Sequence, residues 1–101
     1  MQDLSFSAKI RLRSPVKAKA SWHFVYVSQE VSDIILATQV NLPKRRRKSV
    51  KVKVRIGFYT RETSIFPDKE TGKYLLPLKK EVRKELKIGD GDEVFVFLEL
   101  I

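Results

Sequence analysis

The sequence predicts a mainly β protein: a closed six-stranded barrel with two short capping helices. Three observations carry that expectation. Apolar–polar alternation of period two recurs along the 101 residues, the signature of strands with one buried face. Two short amphipathic stretches interrupt it with a three-to-four spacing, which marks helices. A strand–helix–strand unit occurs twice, so the chain carries two look-alike halves.

The elements follow in order. In "LSFSAKIRL" (4–12), Leu4, Phe6, Ala8, Ile10 and Leu12 lie on one side and Ser5, Ser7, Lys9 and Arg11 on the other, predicting one strand. Ser14-Pro15 ends it, because proline donates no ladder hydrogen bond and turns its predecessor away from helix. "WHFVYV" (22–27) is aromatic and β-branched, hence a second strand. Ser28 is the expected N-cap of a helix running to about residue 38, with Glu30 in its first turn and Val31, Ile34 and Ile35 on its apolar face. "NLPKRRRK" reads as an exposed connection. Val50, Val52, Val54 and Ile56 then oppose Lys51, Lys53 and Arg55 in a strand, with Gly57 read as a bulge or a close approach. "YTRETSIF" continues as a strand, "PDKETG" is a turn, and "KYLLPL" is a strand stopped at Pro77. A helix from Lys79 to Lys87 buries Val82 and Leu86, and "GDGD" leads into the last strand, 93–100.

Laying 24–35 over 75–86 sets Glu30-Val31 on Glu81-Val82, Val27 on Leu78, Ile35 on Leu86 and Val25 on Leu76. The half-repeats span about 4–57 and 58–101. Three strands and one small helix leave a sheet half covered, and about seven inward apolar side chains at roughly 1.5–3 kcal/mol each do not offset the ordering of such a half alone. Two halves paired about a pseudo-twofold axis close a barrel and remove its edges. The expectation is one domain, 1–101, with the barrel complete in one chain as a monomer.

Composition narrows the function classes. Hydrophobic and charged fractions of 43% and 33% suit a globular chain. Without cysteine there are no disulfides or thiolate metal sites. No apolar run reaches the roughly 18–20 residues of a membrane span, and the first residues carry no uninterrupted apolar signal core, so a cytoplasmic location is expected.

The net charge of +9 is local: residues 1–43 carry +2, residues 44–55 carry +8 and residues 56–101 carry −1. The basic run comprises Lys44, Arg45, Arg46, Arg47 and Lys48 in the connection and Lys51, Lys53 and Arg55 on the strand. Side chains on one strand face recur every 6.5–7 Å or so, close to the phosphate spacing of a nucleic-acid strand, so these eight are the candidate nucleic-acid or polyanion contacts. The plainer reading is a solvated face that keeps an edge strand from aggregating. Tyr26, Phe58 and Tyr59 are candidate stacking faces, set against a role in the core. In the last strand Phe95 and Phe97 oppose the apolar face of Val94, Val96, Leu98 and Leu100; they either lie beneath a capping helix or form a contact patch for a partner protein.

Catalytic machinery is not expected. His23 is the only histidine, no serine stands on a nucleophile elbow, and Gly89-Asp90-Gly91-Asp92 carries acids that repel phosphate. No metal or cofactor is expected.

The motif "LPLKKEVRKELKIGDGDEVFVFLEL", with Pro77, Val82, Arg83, Gly91 and Asp92, resembles the half-barrel of AbrB/MazE-type swapped-hairpin domains. Those families build a barrel from two chains, whereas this chain carries both halves. Across nearly the whole length, Phe6, Trp22-His23-Phe24-Val25, "VKVKVRIG", "TSIFP", "YLLPLKKEVRK" and the closing "EVFV" resemble an uncharacterised bacterial and archaeal family of domains of unknown function. That resemblance implies a double-split β-barrel, sometimes fused to YdeI/OmdA-like proteins, and no chemistry. The functional expectation is a small non-catalytic binding module for nucleic acid or another polyanion; the alternative is a protein-interaction or structural domain working with a fused or neighbouring partner.

Overall fold

Residues 3–13, 22–40 and 49–101 are described by a computed structural model. Their elements are β1 (Asp3–Lys9), β2 (Arg11–Arg13), β3 (Trp22–Tyr26), α1 (Gln29–Gln39), β4 (Val50–Ile56), β5 (Tyr59–Pro67), β6 (Tyr74–Leu78), α2 (Lys80–Leu86) and β7 (Glu93–Leu100). The strands form one antiparallel sheet in the order β1-β7-β4-β5-β6-β3-β2. Its two ends are neighbours in the chain, separated by Ile10 alone, so the sheet curls round into a nearly closed barrel.

Two expectations are corrected here. There are seven strands rather than six, and the barrel is nearly closed rather than closed. The physical reason lies at Ile10. Its N–H donates to the Asp92 carbonyl at 2.8 Å and its own carbonyl accepts from Gly91 N–H at 2.9 Å, while its side chain is buried. Before Ile10 the chain pairs with β7; after it, with β3. The sequence alternates straight through this point, but the hydrogen-bonding partner changes, and Leu12, expected on the inward side, is exposed instead. β5 makes a similar passage: residues up to Ile65 pair with β4, and Phe66 and Pro67 pair with β6.

β4 shows the pattern at its clearest, with Val50, Val52, Val54 and Ile56 buried and Lys51, Lys53 and Arg55 exposed. β7 repeats it with Val94, Val96 and Leu98 inward. These join Val25, Val27, Ile35, Ile65, Leu76 and Val82 in a single apolar cluster, each side chain contributing roughly 1.5–3 kcal/mol when fully buried. On the opposite face of the β3–β6 pair, Phe24 and Leu75 are also buried.

The helices begin and end for identifiable reasons. Ser28 caps α1, its Oγ accepting from Val31 N–H at 3.3 Å. α2 has no side-chain cap; instead Arg83 Nε donates to the Leu78 carbonyl at 3.3 Å, tying the helix to the strand before it. It ends at Lys87, in the left-handed region at φ 53°, where Ile88 N–H donates back to the Arg83 carbonyl at 3.0 Å. α1 packs on β1 and α2 on β5. Gly57 is a hairpin turn rather than a bulge: Ile56 pairs with Tyr59, leaving Gly57 and Phe58 as a two-residue loop whose first position has φ 60°.

Candidate nucleic-acid interface

The outward face of β4 is the only part of the predicted basic run within the described residues; Lys44, Arg45, Arg46, Arg47 and Lys48 lie outside them. Lys51, Lys53 and Arg55 project outward from three successive exposed positions, because their valine neighbours are held in the core.

Their surroundings differ. Lys53 lies between two carboxylates, opposite Glu99 on β7 and Glu62 on β5. That pairing offsets the centre of the stripe. Lys51 faces Ser64 on β5, and Arg55 faces Thr60 on β5 and Phe97 on β7. Among the described residues the one ion pair is Arg61–Glu81 at 3.7 Å, on the α2 side of the molecule.

Phe95 and Phe97 are not covered by a helix. They are 52% and 38% exposed, with ring centres 5.0 Å apart and planes at 63°. The Arg55 guanidinium lies 4.4 Å from the centre of the Phe97 ring, a cation–π contact of about 0.5–1 kcal/mol at an exposed site. Phe58, on the β4–β5 hairpin, is exposed as well. Lys53, Arg55, Thr60, Phe97 and Glu99 line a shallow open depression of about 410 Å³. Chemically, this face offers aromatic rings for stacking and a guanidinium beside them for an anion.

A second cationic cluster stands on the adjoining strands. The Arg11 guanidinium is 5.5 Å and the Lys73 ammonium 5.8 Å from the centre of the Tyr26 ring. With Ser7 and Lys9 they border a depression of about 320 Å³ whose lining, among the described residues, contains no acid. Lys9 and Arg11 were legible as outward strand positions, and Tyr26 as an aromatic. That Lys73 joins them was not, because β3 meets β6 only in the fold.

His23 stands apart from both. Its Nδ1 is buried without a hydrogen-bond partner among the described residues, and its pKa is held below the usual histidine value by burial first and the nearby Arg83 charge second, with Asp90 opposing. An apolar crevice of about 20 Å³ between β4, β5, β6 and α2, lined by Val54, Ile56, Leu76 and Val82 among others, has room for about one water. Among the described residues no group of three or more His, Cys, Asp or Glu comes together to hold a metal ion, and no helix is long and apolar enough to cross a membrane.

The family comparison adds the chain's kinship. The sequence family described as a domain of unknown function (DUF1905) matches residues 6–98. The chain belongs to this family. No curated protein matches it. The match runs from Phe6 on β1 to Leu98 on β7, and so takes in both outward clusters of this domain, including Arg55, Phe95 and Phe97.

Proposed function

We propose that the domain is a non-catalytic nucleic-acid-binding module that uses the outward face of β4 and β7. The observation that carries this reading is the Arg55 guanidinium seated on Phe97, with Phe95 against the same ring, all three exposed to solvent. A sheet face that combines exposed aromatic rings with cations suits bases stacked on the rings and phosphates held by the charges. Lys51 and Lys53 continue the face, and the basic residues 44–48 immediately precede its strand in the chain. A cysteine-free chain suits the cytoplasm, where such a ligand is met.

The test is salt dependence. Binding of a mixed-sequence oligonucleotide should weaken with salt, log affinity falling by about 0.7 per neutralised phosphate for each unit of log salt on a single strand. Arg55→Gln should flatten that slope by about one phosphate's share, and Phe97→Ala should lower affinity without changing the slope. Binding indifferent to both substitutions would remove the proposal.

One observation favours a second reading. The carboxylates of Glu62 and Glu99 flank Lys53, and a charge-balanced face with exposed Phe58, Phe95 and Phe97 also suits a protein partner. That reading expects no retention of nucleic acid at any salt concentration.

We also read the barrel as two tandem halves. What supports this is the register. Moving Phe24 forward and its partner Pro77 back by the 51 positions of the sequence overlay gives Leu75 and Tyr26, which are themselves paired; Val25 lies opposite its own counterpart, Leu76. The same shift carries the Ser32 hydroxyl bond to the Val27 carbonyl onto the Arg83 bond to the Leu78 carbonyl. Two halves in one chain match the AbrB/MazE-like barrel plan without requiring a second copy.

A further inference from the structure

We infer that the ligand is a single strand of nucleic acid wound across the barrel from the Arg55–Phe97–Phe95 face to a second stacking centre at Tyr26. This rests on the reading of the β4–β7 face as nucleic-acid-binding and adds the form of the ligand and its path.

The two clusters are joined by β1. Phe95 lies directly opposite Ser7, and Ser7 borders the depression around Tyr26. From Ser7 the outward positions of the same chain segment continue to Lys9 and then, beyond the buried Ile10, to Arg11. Arg11 and Lys73 both approach the Tyr26 ring. The track therefore reads cation and two rings, a small hydroxyl, two more cations, and a third ring with a lysine beside it. None of Lys9, Arg11 and Lys73 has an ion-pair partner among the described residues; the nearest acid across the ladder is Glu93, opposite Lys9.

Length and shape select the ligand. A two-residue step along a strand is about 7 Å and a crossing between strands about 5 Å, so the track from Arg55 to Tyr26, with three steps and three crossings, is about 35 Å long. That accommodates roughly five nucleotides of extended strand, within the four to sixteen that oligonucleotide-binding barrels take. A duplex is stiff over about 150 base pairs and does not follow a path that bends round a barrel this small. It also keeps its bases paired and away from exposed rings, whereas an unpaired strand presents both base faces and phosphates.

The experiment is fluorescence anisotropy with labelled mixed-sequence single strands of 3, 6 and 12 nucleotides and a 12-base-pair duplex, at low and moderate salt. The 12-mer should bind at least tenfold tighter than the 3-mer, since one further stacked base is worth about tenfold, and at least tenfold tighter than the duplex. The double substitution Arg11→Gln with Lys73→Gln, both on the surface, should bring the 12-mer close to the 3-mer. Phe97→Ala should weaken every length. A duplex bound as tightly as the single strand would overturn the inference, as would a 12-mer indifferent to the Arg11 and Lys73 changes; sensitivity to Phe97→Ala in those cases would leave the β4–β7 face standing as the binding site. Failure of every oligonucleotide to bind would overturn both.

Discussion

The hydroxyl of Ser32 accepts the backbone N–H of Tyr74 at 3.0 Å. The two residues are 42 positions apart, and the same hydroxyl donates to the Val27 carbonyl at 3.1 Å. Ser32 is the one buried polar residue among those described. One small side chain thus ties α1 to the meeting point of β3 and β6 from inside. Ser32→Ala leaves a buried donor without a partner and removes the donor to Val27, at about 1–3 kcal/mol for a group so stranded. Chemical denaturation should register a loss of about 2–3 kcal/mol with the slope unchanged; a loss below about 0.5 kcal/mol would mean water replaces the hydroxyl.

Phe95 and Leu98 lie on one strand and face opposite ways. Leu98 is fully buried and Phe95 is half exposed. Leu98→Ala should cost about 2–5 kcal/mol as a core truncation, whereas Phe95→Ser should stay within about 0.5 kcal/mol of the parent. The pair separates binding from folding, because the Phe95 variant should remain folded while losing a stacking surface. Thermal denaturation of the two proteins is sufficient to check it.

His23 gives the stability a pH dependence of defined sign. Its folded pKa lies below the ordinary 6.5, chiefly through burial. Below 6.5 the unfolded chain takes up a proton that the folded ring refuses, so stability falls as pH drops from 7 towards the lowered folded value, then levels off. Because His23 is the only histidine, His23→Leu should abolish that decline between pH 7 and the onset of carboxylate titration. An unchanged profile would assign the decline to other groups.

Lys87 ends α2 with a positive φ of 53°, a conformation that strains a side-chain-bearing residue. Lys87→Gly relieves the strain and gives back part of the gain as unfolded-state entropy, so a net stabilisation of about 0.5 kcal/mol is expected from urea midpoints. Destabilisation would mean that the Lys87 side chain makes a contact the fold relies on.

How far the sequence foretold this depends on which kind of contact a feature rests on. The inward set Val52, Val54, Val94 and Val96 was legible because alternation reports burial directly, and all four are buried. Ser28 was legible as a cap because its chemistry is local. The break at Ile10 was not, since the sequence alternates through residues 4–12 while the pairing partner changes from β7 to β3 and Leu12 is left exposed. Lys53 illustrates the same limit at the candidate site. Its basic neighbours are visible in the sequence, yet Glu62 and Glu99, which flank it, come from other strands. Likewise Arg11 and Lys73 meet at Tyr26 only because β2, β3 and β6 are adjacent in the sheet.

The most direct test of the β4–β7 face is a residue-resolved one: titrate the ¹⁵N-labelled domain with a short mixed-sequence single strand and follow each backbone amide by NMR. The binding reading expects the largest shifts at Lys53 to Arg55 and Phe95 to Phe97, growing with oligonucleotide and collapsing as salt is raised. Shifts confined to the exposed faces of α1 and α2, or none at concentrations that saturate a weak complex, would contradict it.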